Sequence, residues 1–436
     1  HALELHGGRM QRRRYWDVPL APVSDEPVGD APARVRELLA DAVRRRLMSE
    51  VPLGAFLSGG VDSSAVVALM SRDLDAPVET FAVGFADAEY DELEHARAAA
   101  RRFGTRHHEI VVDGCTPELL REINWHNDEP ATDPACVPTL RLSRFARERV
   151  TVVLTGEGGD EAFAGYPHYA RCRRLAALEA WTPLHAVART ATRRLEDRFG
   201  PVGSPRWWKA LWIAGLPPEE RSRGWLSAFT DAGIERLLAP RIRMLSANGE
   251  GREPFASLQG RAAARDAVAQ LMYVDSQLSL ADHLLMKVDK MTMAAALEAR
   301  CPFLDQDLLE YAWRLPTAAK LSAEGSKLVL RQALVGLVPD ELLRRRKHGF
   351  DVPVRCWMLR DLAPVAEALL LATGAPIAAL LDQDVVRGAW SRLARADEPL
   401  LARQLWMILN FAVWYDLHWP SVAREALPEM ASCAGS

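Results

Sequence analysis

Phe56-Leu57-Ser58-Gly59-Gly60-Val61-Asp62-Ser63-Ser64 follows a short apolar run and leads straight into the apolar stretch 65–70. Read locally it is a strand, a glycine turn and a helix start. Two glycines let the backbone turn sharply and come close to a ligand, while serine hydroxyls and first-turn N–H groups converge on one spot. Such a spot suits an anion, above all a phosphate. Walker-type loops place a lysine before the Ser/Thr, whereas this loop has Asp62 there. An aspartate among phosphates requires a bridging cation, so the loop implies Mg²⁺ held by Asp62 and pyrophosphate oxygens. The plainer alternative, a Ser/Gly turn that only caps a helix, does not call for so restrictive a string.

Outward from that loop, the pattern alternates. Residues 31–48 have helical apolar spacing (Val35, Leu38, Leu39, Val43, Leu47) with arginines between. Residues 78–85 read as a strand, 90–103 as a helix closed by Gly104, and 106–112 as a strand. Thr116 and Pro117 open a further helix as cap and first helical residue. Residues 137–147 are again helical, and 150–154 form a β-branched strand. Strands alternating with helices imply a doubly wound, mainly parallel sheet with helices on both faces, followed here by a mostly helical C-terminal part. Ligands in such sheets bind beyond the carboxyl ends of the strands.

The strand at 150–154 runs into Thr155-Gly156-Glu157-Gly158-Gly159-Asp160-Glu161, a second glycine-rich loop with three carboxylates. If its strand neighbours that of the first loop, Asp160 and Asp62 face one space and together hold Mg²⁺ on a triphosphate. Alone it would read equally well as a solvated acidic turn.

Composition narrows the class. With 436 residues, 49% hydrophobic and 26% charged, the chain has length for roughly two or three domains. Its 54 basic and 58 acidic residues leave a net charge of −4, which argues against a wide nucleic-acid-binding face. No apolar run reaches membrane-spanning length and no signal peptide is visible, so a cytoplasmic protein without membrane contact is expected. Six scattered cysteines form no C-x-x-C pair and read as reduced structural thiols.

The remaining signals are weaker. Leu3 to Met10 read as one half of a hairpin and Arg12 to Trp16 as its return strand. Residues 169–264, rich in arginine and tryptophan, read as helix packing. Residues 281–305 read as a helix with charges on its apolar side: Asp282, Lys287, Asp289, Lys290, Glu298, Arg300 and Asp305 sit among apolar side chains, marking either an ion-pair network or a site wall. Ser326 is the expected cap of a helix over 328–337. Arg344-Arg345-Arg346-Lys347-His348-Gly349-Phe350 reads as a solvated basic run or as the cation that charge developing on phosphate demands, with Lys347 the best candidate. Residues 405–417 read as a final buried helix.

The first loop resembles the pyrophosphatase loop of the N-type ATP pyrophosphatases, the adenine nucleotide alpha hydrolase-like fold. With Lys287-Val288-Asp289-Lys290-Met291-Thr292-Met293, Leu297-Glu298-Ala299-Arg300-Cys301-Pro302-Phe303-Leu304-Asp305 and Lys347-His348-Gly349-Phe350 added, nearly the whole chain resembles the synthetase domain of glutamine-dependent asparagine synthetases and related amide and β-lactam synthetases. Val61, Ala162, Ala164, Lys290 and Cys301 depart from the commoner family residues without removing a charge.

The resemblance implies ATP lying along Leu57, Ser58, Gly59, Gly60, Asp62, Ser63 and Ser64, with backbone groups of Val83, Gly84 and Gly156 at the adenine and Mg²⁺ on Asp62 and Asp160. It implies adenylation of a carboxylic acid, aspartate first and a natural-product precursor second, then displacement of AMP by ammonia. Lys347 and Glu157 would be catalytic, and Arg300 would bind the acceptor unless it pairs with Glu298 or Asp305. Ammonia would come from a glutaminase domain missing from this chain. The expected division is 1–18 as the tail of that domain, 19–30 a linker, 31–170 the ATP pyrophosphatase core, 171–270 a helical insertion, 271–360 the rest of the synthetase core and 361–436 a C-terminal helical region. Oligomeric state stays open, a homodimer included, and a tRNA-modifying relative is the remaining rival.

Overall fold

The computed structural model describes residues 1–21, 28–130, 132–179, 184–195, 206–245, 253–345, 349 and 351–419. The N-terminal hairpin pairs β1 (Ala2–His6) with β2 (Arg9–Arg13) in antiparallel register, Ala2 opposite Arg13. The return strand therefore begins at Arg9, three residues before the expected Arg12, because Gly7 and Gly8, both at positive φ, form the turn.

The central sheet has five parallel strands: β3 (Leu53–Phe56), β4 (Glu79–Phe85), β5 (Arg106–Val112), β6 (Val152–Leu154) and β7 (Glu298–Arg300), in the spatial order β5, β4, β3, β6, β7. The helices that accompany the first four of these strands are α1 (Ala31–Arg46), which precedes β3, then α2 (Val61–Asp73), α3 (Leu93–Phe103), α4 (Pro117–Asn127), α5 (Cys136–Arg147) and the short α6 (Gly159–Phe163). Thr116 caps α4 by accepting from the Leu119 N–H, and Gly104 closes α3 at φ 65°, both as the sequence implies.

Side chains alternate across the sheet, so both faces need cover. Val152 and Leu154 pack with Ala55, Leu57 and the apolar sides of α1 and α2. Val153, between them, packs on the other face with Phe81, Leu142, Ala146 and Leu297. The period-two pattern thus fixes helices on both sides.

Strand order decides where a ligand belongs. From β3 the chain steps outward to β4 and β5, then returns to lay β6 against the opposite edge of β3, with Ala55 level with Leu154. The gap between β3 and β6 is therefore the switch point of the sheet, where a crevice opens at the strands' carboxyl ends. The two glycine-rich loops leave from this point.

One stretch differs from its expectation. The charged segment 281–305 is not one helix. A continuous helix runs through Ala267–Val274, an 11-residue π-helical segment Asp275–Leu285, and Met286–Met293. The chain then turns through Ala296, at φ 56°, into β7. Glu298-Ala299-Arg300 has two charges and no β-branched residue, unlike the equally short β6, so the fifth strand leaves no signal in the sequence. Beyond it, the helices Val354–Arg360, Gln383–Arg395 and Pro399–His418 bury a second core against α4 and α5. Among the described residues no single helix is long and apolar enough to cross a membrane.

Candidate active site

Between β3 and α2 the backbone passes through Gly59 at φ 69°, where a Cβ would lie 2.5 Å from the His95 carbonyl carbon. Only glycine fits there. Gly60 occupies the N-cap position of α2 with no side-chain cap, so the helix end keeps its partial positive charge for a ligand. The Ser58 and Ser63 hydroxyls lie 3.1 Å apart across the turn, and Ser58 Oγ accepts from the Gly60 N–H at 3.3 Å. Leu57, Ser58, Gly60, Asp62 and Ser63 line one cavity of about 260 Å³. Ser64 is buried below it, as the first-turn residue on the core side.

The acidic loop closes over the same cavity with Thr155, Gly156, Glu157 and Asp160. Asp62 and Asp160 are brought together by a residue that local pattern did not reveal. Lys327 Nζ lies 2.5 Å from Asp62 Oδ2 and 2.6 Å from Asp160 Oδ1, and the lysine is 3% exposed. It stands at the start of the helix Leu328–Ala333, in the left-handed conformation at φ 57°. That position was expected to be capped by Ser326, but Lys327 is the N-cap residue, without a side-chain cap bond, and the helix ends at Ala333 rather than at 337. Gly165 makes room for the trio, since a Cβ there would collide with Asp160 Oδ1 and Lys327 Cε.

Two carboxylates from different loops reaching one cation form a hard-oxygen pair suited to Mg²⁺ when phosphate oxygens complete the shell. No group of three or more His, Cys, Asp or Glu side chains comes together among the described residues. The donor set therefore fits a metal that arrives with a polyphosphate rather than one held by protein alone.

Behind the acidic loop, Glu161 is buried and accepts a 2.7 Å bond from the Tyr166 hydroxyl. Burial, then the neighbouring Asp160 charge, pushes its carboxyl up to about 8, against the Tyr166 bond. On the opposite wall, Lys287 lines the cavity and reaches Asp133 Oδ2 at 2.9 Å. Burial alone would raise the Asp133 carboxyl, but Lys287, then His283, overcome it and hold Asp133 well below the usual carboxylate range. For Lys287 the balance is the mirror image: burial lowers it, while Asp133 and then Glu157 raise it further, so the ammonium is fixed.

The positions expected at the adenine are placed unevenly. Val83 and Phe85 line the cavity, whereas Gly84 between them is packed against Asp91 and Leu93 and does not. Arg345 lines the cavity, pairs with Glu92 and reaches the Ser58 carbonyl at 3.4 Å. Lys347 lies outside the described residues; Arg345 and Gly349, on either side of it in the chain, both line the cavity.

Arg300 is not brought to the site. Its guanidinium bonds Glu298 at 2.7 Å and the carbonyls of Arg46 and Met48 at 2.8 Å, and it is not among the cavity-lining residues. It ties β7 to the end of α1, so the acceptor-binding expectation is replaced by the ion pair with Glu298. Position on a three-residue strand beside α1, invisible in the sequence, decides this.

A glycine-rich strand-to-helix turn at the switch point of a doubly wound α/β sheet, faced by an acidic loop, is the architecture of a domain of the ATP pyrophosphatase type. The family model for asparagine synthase matches residues 34–416. The chain belongs to the asparagine synthase family. A putative glutamine-hydrolysing asparagine synthetase of Mycobacterium tuberculosis is 34% identical over 407 residues, covering 91% of this chain and 59% of the relative. Glutamine-hydrolysing asparagine synthetase 1 of Bacillus subtilis is 29% identical over 430 residues, covering 98% and 65%. Amidase chyE of Penicillium rubens is 24% identical over 451 residues, covering 93% and 65%. The chain thus spans about three fifths of the length of the curated relatives it matches.

Proposed function

We propose that this chain carries out the ATP-dependent half of amide synthesis in the cytoplasm: it adenylates a carboxylic acid, aspartate first among candidates, and passes the acyl group to ammonia. The observation that carries the reading is the meeting of Asp62, Asp160 and Lys327 at the mouth of the switch-point crevice.

ATP lies with its phosphates on residues 58–64, where the α2 N-terminus and the Ser58 and Ser63 hydroxyls supply donors. Its adenine rests in the apolar slot beside Val83, held by backbone groups of Val83 and Gly156, while Gly84 supports that wall from behind. Asp62 and Asp160 would hold Mg²⁺, which when bound would shield the negative charge of the phosphates. Lys327, held between the two aspartates, would share that task. An acceptor carboxylate oxygen attacks the α-phosphorus, and the bond from α-phosphorus to the bridging oxygen breaks to release pyrophosphate. Lys347 stabilises the charge that develops at that step. Ammonia then attacks the acyl carbon, the bond to AMP oxygen breaks, and Glu157 receives the proton leaving nitrogen.

Ammonia comes from a glutaminase domain, as the glutamine-hydrolysing relatives suggest. A second reading keeps the same adenylation site and takes a natural-product precursor acid as the acceptor. Incubation with Mg·ATP, ammonia and a panel of acids tests both: AMP and pyrophosphate, with the amide of one acid, are expected. Release of ADP, or no acid-dependent turnover, would reject the proposal.

A further inference from the structure

We infer that Glu92 is a positioning residue for adenylation: by pairing with Arg345 it fastens the start of the basic run 344–350 to the cavity and so sets where Lys347 meets the phosphates. The inference rests on the reading above and adds the group that holds its proposed cation in place.

Glu92 is presented from a rigid platform. It is the N-cap residue of α3, but its side chain makes no cap bond. The residues on either side pin it: Asp91 Oδ1 accepts from the Phe85 N–H at 3.3 Å at the end of β4, and Leu93 is buried with Ala82 and Ala96. The same turn abuts the loop after β3, since a Cβ on Gly59 would meet the His95 backbone. From there the Glu92 carboxylate reaches the cavity wall and pairs with the Arg345 guanidinium.

Arg345 is tied at both ends. Its guanidinium also reaches the Ser58 carbonyl at 3.4 Å, and its own carbonyl accepts from Arg331 Nη2 at 3.2 Å. Arg331 Nε in turn donates to the Ser326 carbonyl at 2.8 Å, beside Lys327. One arginine therefore joins α3, the loop after β3 and the turn before the helix Leu328–Ala333. Lys347 follows two residues later, within about 7 Å of extended chain. Anchoring Arg345 thus confines the Lys347 backbone.

The pair serves placement rather than affinity. A carboxylate on a wall that faces phosphates repels them unless a cation cancels it, and Arg345 does so. Deleting the carboxylate would therefore favour ATP binding. What is lost is the hold on the basic run, and a displacement of about 1 Å at a group that meets the transition state can cost about a hundredfold in rate.

The test is a kinetic split, read as acid-dependent pyrophosphate release in a single turnover with Mg·ATP. Glu92→Gln is expected to lower the rate constant by about tenfold or more, while the ATP concentration at half-maximal rate stays the same or falls. Arg345→Gln should lower the rate similarly and raise that concentration, because it leaves the Glu92 carboxylate facing the phosphates. The double variant should be no slower than the slower single, as for two groups acting as one device. Arg345→Lys keeps the cation but not the fork that spans Glu92 and Ser58, so it should behave like Glu92→Gln and decides the matter if Glu92→Gln does not fold. Full rate in Glu92→Gln or in Arg345→Lys, or losses that multiply in the double variant, would overturn the inference while leaving adenylation standing. So would a Glu92→Gln defect confined to a higher ATP requirement. Pyrophosphate release with none of the acids from the unaltered chain would reject the functional reading and this inference with it.

Discussion

The Lys327 ammonium lies 2.5 Å from the Asp62 carboxylate, although 265 residues separate them in the chain. The contact binds the loop after β3 to a turn that follows the helical region, so the cavity wall is complete only when both parts have folded onto the sheet.

Replacing Lys327 with Met leaves Asp62 and Asp160 facing each other in a buried space. The expected cost is about 3–5 kcal/mol in chemical denaturation, the range for removing one partner of a buried ion pair. Mg·ATP should then raise the melting temperature of the variant less than that of the unaltered chain, because one of the three groups proposed to meet the metal and phosphates is gone. Equal responses to Mg·ATP would argue against a role for Lys327 at the nucleotide.

Gly165→Ala places a carbon where Asp160 Oδ1 and Lys327 Cε stand. Overpacking of this kind costs about 1–3 kcal/mol. The larger effect should fall on nucleotide affinity, since both displaced atoms belong to the phosphate site, and titration with Mg·ATP would show it.

Arg300→Ala should leave the acceptor KM within about twofold, since the guanidinium is spent on Glu298 and on the Arg46 and Met48 carbonyls. Stability should fall by about 1 kcal/mol through the loosened end of α1. A large rise in acceptor KM would return Arg300 to the site.

Lys320 supplies a pH dependence away from the chemistry. Burial, then the Arg265 charge, lowers its ammonium from 10.5 to about 7, with Asp266 opposing. The Trp313 ring, 5.3 Å away, favours the charged form, but by less than the desolvation it would have to offset. Between pH 7 and 10.5 the unfolded chain holds this proton and the folded chain does not, so stability should rise with pH there, by up to about 1.4 kcal/mol per unit. Below pH 7 both forms hold it and the dependence ends. Lys320→Met should be more stable at pH 7 and lose this part of the slope, which paired denaturation curves would reveal.

Much of this architecture is legible from local pattern. The β3 and β6 loops announce themselves because glycine, serine and aspartate at fixed offsets are what a phosphate turn needs, and the strand and helix alternation up to Arg147 follows from periodicity. Lys327 is different. Its neighbours 321–326 form a short turn closed by a bridge between Leu321 and Ser326, which has no periodic signal, and its partners are distant in sequence. Only the spatial order of the strands reveals it. The same holds for β7, with its two charges and no β-branched residue, and so for Arg300, whose neighbours on that strand could not be read. Lys287 was legible as a charge on an apolar helix, but its choice between ion pair and site wall was not. The structure shows it to be both, bonded to Asp133 and lining the cavity.

The central claim is that one nucleotide is shared by the two loops through Asp62 and Asp160. Affinity for ATP, measured with and without Mg²⁺ for the unaltered chain, Asp62→Asn, Asp160→Asn and the double variant, tests it most directly. The account predicts that each single change removes most of the Mg²⁺-dependent gain in affinity and that the double change removes little more, as expected for groups acting on one ion. Unchanged Mg²⁺ dependence in either single variant, or independent losses that add in the double, would contradict it.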